Sequence, residues 1–200
     1  MSQLIAMFSY SLAMSISPGP VNMVIVSSGA SYGVRKTFSF VSGATIGFTL
    51  LLLFIGLGFY KIINLYPFFL KYLAGAGSLF IIYMGYLIAT SKPELNIEEQ
   101  RQPTFIQGFL MQWLNPKAWI ACVAGVSIFS NPDENITFFT FSAIYFLVCY
   151  LSLFSWSILG DKVTIFLNSE FRLNIFNKLM GGLLIVTALF LLYSQLWWSV

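Results

Sequence analysis

The sequence predicts an all-α polytopic membrane protein: six transmembrane helices arranged as two inverted three-helix repeats, with the first and fourth helices broken. Three observations carry this expectation. The 200-residue chain is 58% apolar and only 8% charged, with a mean hydropathy of +0.83. A soluble domain carries about 25% charged residues, so a water-facing surface cannot be made from this inventory. Long apolar runs recur between short polar clusters, each at the ~20-residue length a bilayer demands. Two of those runs carry a proline near the middle, Pro18 and Pro116. The length suits a single transmembrane domain over 1–200.

The spans are expected near 4–29, 38–60, 66–90, 105–130, 136–160 and 174–197. Between them lie "SYGVRKT", "KIINLYP", "TSKPELNIEEQRQPT", "SNPDENI" and "DKVTIFLNSEFRLN". The third of these reads as a linker, 91–104, with Pro93, Pro103 and the carboxylates of Glu94, Glu98 and Glu99. It separates repeat 1, about 1–90, from repeat 2, about 105–200. Segments 38–60 and 66–90 are too uniformly apolar to lie in the interface, where a helix shows a charged face.

Orientation follows from the basic residues. The first, third and fifth loops carry Arg35, Lys36, Lys92, Arg101, Lys162, Arg172 and Lys178, against Lys61 and Lys71 opposite. The positive-inside rule puts the odd loops in the cytoplasm and both termini outside. No cleavable signal is expected, because the start lacks a basic region and the first span is too long for one. The net charge of +3 is too small to indicate a nucleic-acid partner.

Two halves of three spans each have opposite topologies, the inverted-repeat plan of many secondary transporters. Pro18 and Pro116 are paired in this scheme, and Lys71, Gly75 and Tyr86 align with Lys178, Gly182 and Tyr193. A proline within a helix removes one backbone donor and clashes with the carbonyl four residues earlier. In lipid the freed groups must find partners or line a wet cavity. Both prolines fall ~17–21 Å into their spans at 1.5 Å per residue, near the midplane. Ser17-Pro18-Gly19-Pro20 therefore reads as a short unwound segment and a new helix start, and Asn115-Pro116 repeats that logic.

The start of a half-helix offers unpaired N–H groups and partial positive charge, which attract anions. Two such starts meeting at the midplane would suit a small anionic group such as an amino-acid carboxylate. The candidate binding residues are Ser15, Ser17, Pro18, Gly19, Pro20, Asn22, Asn115, Pro116 and Lys117. Lys117 is the only ionisable residue placed deep inside a span, and such residues are functional by default. The plainer alternatives are two satisfied proline kinks, and a lysine that pairs with carbonyls freed by the break.

No histidine is present, and no Asp or Glu falls within a central span, so the usual proton relay is missing. Asp161 reads as a solvated loop residue. No Walker sequence occurs, so ATP hydrolysis is not expected. No cofactor, metal or enzymatic activity is expected either. Cys122 and Cys149 lack CxxC spacing and read as small core packers. Gly43-x-x-x-Gly47, Gly75 and Gly77 allow close helix approach, within the chain or at a homodimer seam. Ser27, Ser28, Ser39, Ser42 and Thr45 could face a polar path. Phe, Tyr, Trp197 and Trp198 suit interface belts.

"SPGPVNMVIVSSGASYGVRKTFSFVSGATIGF" and "GFLMQWLNPKAWIACVAG" resemble the LysE/RhtB family of amino-acid exporters, and within it the cysteine/O-acetylserine branch. The likeness covers nearly the whole chain, and the family motifs fall on Ser17, Pro18, Gly19, Pro20, Asn22, Gly33, Gly43, Gly47, Asn115, Pro116 and Lys117. It implies an efflux carrier in the bacterial inner membrane, driven by the ion gradient, with an amino acid or close derivative as its small-molecule substrate. The alternatives are a thiol–disulfide carrier of the DsbD/CcdA type, or a scaffold that transports nothing. The redox reading needs two thiols able to meet, yet Ser17 and Asn115 stand where such carriers hold cysteine.

Overall fold

The computed structural model describes residues 2–59, 67–91, 102–130, 135–167 and 169–197. They form α1 (Ser2–Ile16), α2 (Pro20–Phe54, prolonged by one π-helical stretch, Ile55–Phe59), α3 (Pro67–Ala89), α4 (Phe105–Trp113), α5 (Pro116–Phe129), α6 (Asn135–Val163) and α7 (Glu170–Trp197). No strand occurs among the described residues. Most of the expected linker, 92–101, lies outside them, as do Lys61, the side chains of Lys71 and Trp197, and Trp198.

Both expected breaks are present. α1 ends before Pro18, and α2 restarts with Pro20 in its first turn after an extended Gly19. The second break falls between α4 and α5, at Leu114 and Asn115. α4 is opened by a reciprocal capping box, in which Gln107 N–H donates to Thr104 Oγ1 and Thr104 N–H donates to Gln107 Oε1. α5 starts on Pro116, with Asn115 as its cap.

The first loop differs from expectation. Helix runs through nearly all of "SYGVRKT", interrupted only at Gly33 (φ 78°, ψ 167°). That conformation is open to glycine alone among the amino acids. A straight helix of this length would extend about 52 Å, but its contacts with α6 reverse direction at Gly33. Before it the chain climbs α6, with Tyr10 against Phe141 and Tyr145, Gly29 against Ser157, and Gly33 beside Asp161. After it the chain descends, with Phe38 against Phe154, Phe48 against Tyr145, and Gly56 against Phe138. One glycine therefore does the work expected of a seven-residue loop. Asp161 is half-buried at this corner rather than a solvated loop residue.

Glycines set the close approaches. A Cβ on Gly43 or Gly47 would collide with Phe105 or Phe109 of α4, and one on Gly77 would strike the Leu114 carbonyl at the second break. Gly85 of α3 and Gly181 of α7 abut one another in the same way. Gly43 and Gly47 are thus used inside the chain. A Cβ on Gly75 or Gly182 would meet open space, so among the described residues neither sets a close approach within the chain.

The core is apolar, including Val24, Ile25, Phe40, Leu51, Leu52 and Phe141. The outside is apolar as well. On α7 alone Leu179, Leu183, Val186, Leu189 and Phe190 are exposed, a surface that suits hydrocarbon rather than water. By length and composition, Pro20–Gly58, Asn135–Val163 and Glu170–Tyr193 suffice to cross a bilayer, while Ser2–Ile16, Gly75–Ala89 and Pro116–Phe129 are shorter apolar helices.

Candidate functional site

The two breaks come together. Lys117, in the first turn of α5, reaches across to the end of α1, where its Nζ donates to the Ser17 carbonyl (2.9 Å), Ser17 Oγ (2.8 Å) and the Pro18 carbonyl (3.2 Å). An ammonium has three protons, and each finds an acceptor. The plainer of the two sequence readings of Lys117 is therefore realised in this state: it pairs with carbonyls that the break frees. Gly19 makes room for the stem, since a Cβ there would lie 3.2 Å from Nζ.

Asn22 works on the same carbonyls. Its Nδ2 donates to the Ser15 and Ser17 carbonyls at 3.1 and 3.0 Å, tying the start of α2 back to the end of α1. Asn115 instead caps its own helix, its Oδ1 accepting from Lys117 N–H at 3.1 Å. The two helix starts consequently differ. α5 is closed by a side chain, whereas α2 has no side-chain cap, leaving the Val21 and Asn22 N–H groups available. The α1–α5 contact is completed by Tyr10, whose hydroxyl donates to the Ala121 carbonyl at 2.7 Å.

Around this junction lies a cavity of about 40 Å³. Ser15, Ser17, Gly19, Asn22, Asn115 and Lys117 line it; the other three candidates, Pro18, Pro20 and Pro116, do not. Those prolines shape the breaks without facing the space. The sequence reading missed Phe48 and Gln112, and also Tyr145 and Cys149 from α6. Phe48 stacks on Tyr145 with centroids 4.5 Å apart, forming the wall opposite the breaks. Cys149 is a buried free thiol, as a core packer would be, yet it also faces the cavity. Ser15 Oγ is buried beside Cys149 and Tyr145 without a well-formed hydrogen bond. Such an unsatisfied hydroxyl on a cavity wall can receive a ligand.

Of the hydroxyls expected to face a polar path, Ser27 and Ser28 line a second space described below, Ser42 bonds Tyr150, and Ser39 is exposed. One further polar residue was not anticipated. Asn177 of α7 is 1% exposed and hydrogen-bonds Ser27, Ser31 and Ser91. An asparagine inside the apolar 174–197 segment was the available signal.

An apolar exterior around a buried polar junction defines an integral membrane protein. Residues 12–195 match the family model described as LysE type translocator, and the chain belongs to that family. Its relatives include the cysteine/O-acetylserine efflux proteins of Escherichia coli (strain K12), Shigella flexneri serotype 5b (strain 8401) and Shigella sonnei (strain Ss046). Each is 27% identical over 128 residues, covering 64% of this chain and 66% of the relative, just under two thirds of its length. No solved structure matches the chain.

Proposed function

We propose that the protein is an efflux carrier for amino acids or close derivatives, of the cysteine/O-acetylserine, threonine/homoserine or leucine type. It works in the bacterial inner membrane by alternating access, driven by the ion gradient. The observation that carries this reading is the junction itself: two helix breaks share one cavity, and a lysine bridges them. The cargo carboxylate takes the uncapped start of α2 and draws Lys117 away from Ser17 and Pro18. Ser15, Asn22 and Asn115 hydrogen-bond the rest of the amino-acid head.

A cavity of about 40 Å³ holds only a few waters, at ~10–15 Å³ of such space for each. An amino acid enters only when the halves part, as alternating access requires. Six spans fit the chain's course: α1 with the first part of α2, the second part of α2, α3, α4 with α5, α6, and α7. An inverted repeat is supported by two matching pairs. α1 runs in the same sense as α6, with Tyr10 at Phe141 and Ser15 at Cys149, and α4 in the same sense as the second part of α2, with Phe105 at Gly43 and Phe109 at Gly47. Both termini lie outside in this reading.

The test is efflux from cells loaded by dipeptide feeding, following a panel of amino acids in the medium. One or a few should appear faster with this chain than with an empty vector. If none does while the protein is in the membrane, amino-acid export is refuted.

A further inference from the structure

The cavity at the breaks is not the largest polar space in the molecule. A chamber of about 270 Å³ lies between the first part of α2, the end of α3 and the start of α4. Its polar wall includes Ser27, Ser31, Tyr32, Ser91, Gln102 and Gln107, and among the described residues no Asp, Glu, Lys or Arg is part of its lining. Behind that wall sits Asn177. Its Oδ1 accepts from Ser27 (3.0 Å) and Ser31 (3.2 Å), and its Nδ2 donates to Ser31 and Ser91 (3.0 Å each). A carboxamide has two donors and two acceptor sites, and all four are used. Asn177 thereby ties α2, the end of α3 and α7 together, and fixes three hydroxyls at the chamber's wall.

Structural packing alone gives little reason for this arrangement. Interhelical hydrogen bonds in membranes each contribute little net stability, and burying an amide offsets much of that. Position supplies the reason. Ser31 and Tyr32 lie four residues before Arg35 and Lys36 respectively, and Ser91 precedes Lys92, so the chamber lies on the side of the basic loops. It is joined to the cavity at the breaks by one helix. Asn22 lines the cavity and Ser27 the chamber, about 7.5 Å apart along the axis of α2.

We propose that this chamber is a second solute site, a port on the basic-loop side where cargo is held before it reaches the breaks. Asn177 is its positioning residue, setting the hydroxyls of Ser27, Ser31 and Ser91. The described lining offers hydrogen-bond donors and acceptors without a full charge, which fits a small solute of no net charge: a zwitterion or a hydroxylated derivative. A net-charged solute would leave its charge unpaired in a low dielectric. The port rests on the efflux reading and adds a site to it.

The test uses the full chain with Ser91→Cys, reconstituted in inside-out and right-side-out vesicles. The probe is a charged, membrane-impermeant methanethiosulfonate. The two native cysteines are buried, so the unsubstituted chain gives the background. Labelling is expected from the face carrying Arg35 and Lys162 only. O-acetylserine or threonine at three times its Kd should slow it about fourfold, since the free fraction falls as 1/(1 + [L]/Kd). Labelling from neither face, labelling from the opposite face, or labelling that no competitor slows overturns the port. Gln102→Cys, outside the hydrogen-bonded cluster, gives the same readout should Ser91→Cys not assemble. Export in the loading assay together with unprotected labelling refutes the port alone, whereas absence of all export refutes the carrier reading.

Discussion

At the scale of single residues, Lys117 decides how the junction is read. Two of its three hydrogen bonds satisfy the Ser17 and Pro18 carbonyls, which lose their helical donors where the chain unwinds at Gly19, and the third goes to Ser17 Oγ, so it has a structural role before any cargo arrives. In the carrier reading the same ammonium changes partner when a carboxylate binds. Lys117→Met should leave the protein inserted and lower efflux at least tenfold, ~1.4 kcal/mol or more of lost interaction. Asn22→Ala removes the tie to the Ser15 and Ser17 carbonyls. It should cost about 1–3 kcal/mol in stability as the Ser15 carbonyl loses this partner while the Ser17 carbonyl keeps Lys117, read as a lower Tm in detergent. The sequence made Lys117 conspicuous, because a charge among apolar residues needs an explanation. It offered Asn115 both as a helix start and as a ligand contact, because both use the same side chain, and in the structure its oxygen caps its own helix.

At the scale of elements, the breaks at Pro18 and Pro116 were legible because proline carries its effect in its own ring. The reversal at Gly33 was not, for glycine permits many conformations and dictates none. Gly33→Ala forces an L-residue into a glycine-only region and should destabilise the fold by about 1–3 kcal/mol. A thermal melt in detergent checks this, and efflux at low temperature should persist because Gly33 does not line the cavity. Pro116→Ala restores a backbone donor at the start of α5, so helix can propagate across the break and efflux should weaken. Unchanged transport kinetics there would mean that the second break serves packing alone.

At the scale of the whole molecule, the composition and the alternation of apolar runs with polar clusters showed a helical membrane protein. The partners of each helix were harder to see. Phe48 and Tyr145 stand 97 positions apart and form one wall only because the second part of α2 runs back along α6. Nothing local in either segment marks them. Asn177 is the same case, an asparagine whose meaning depends on serines from two other segments. The orientation is testable at this scale too. An epitope tag at either terminus should be reached by antibody from outside the cell once the outer barrier is opened, and without opening the inner membrane.

The central claim is that the cavity at the two breaks binds the cargo carboxylate through Lys117. Its most direct test is efflux of O-acetylserine, threonine and leucine from proteoliposomes holding equal amounts of wild type or Lys117→Met. The account predicts release of at least one of them by wild type, and a rate at least tenfold lower for the variant. Equal rates from two equally folded proteins would contradict it.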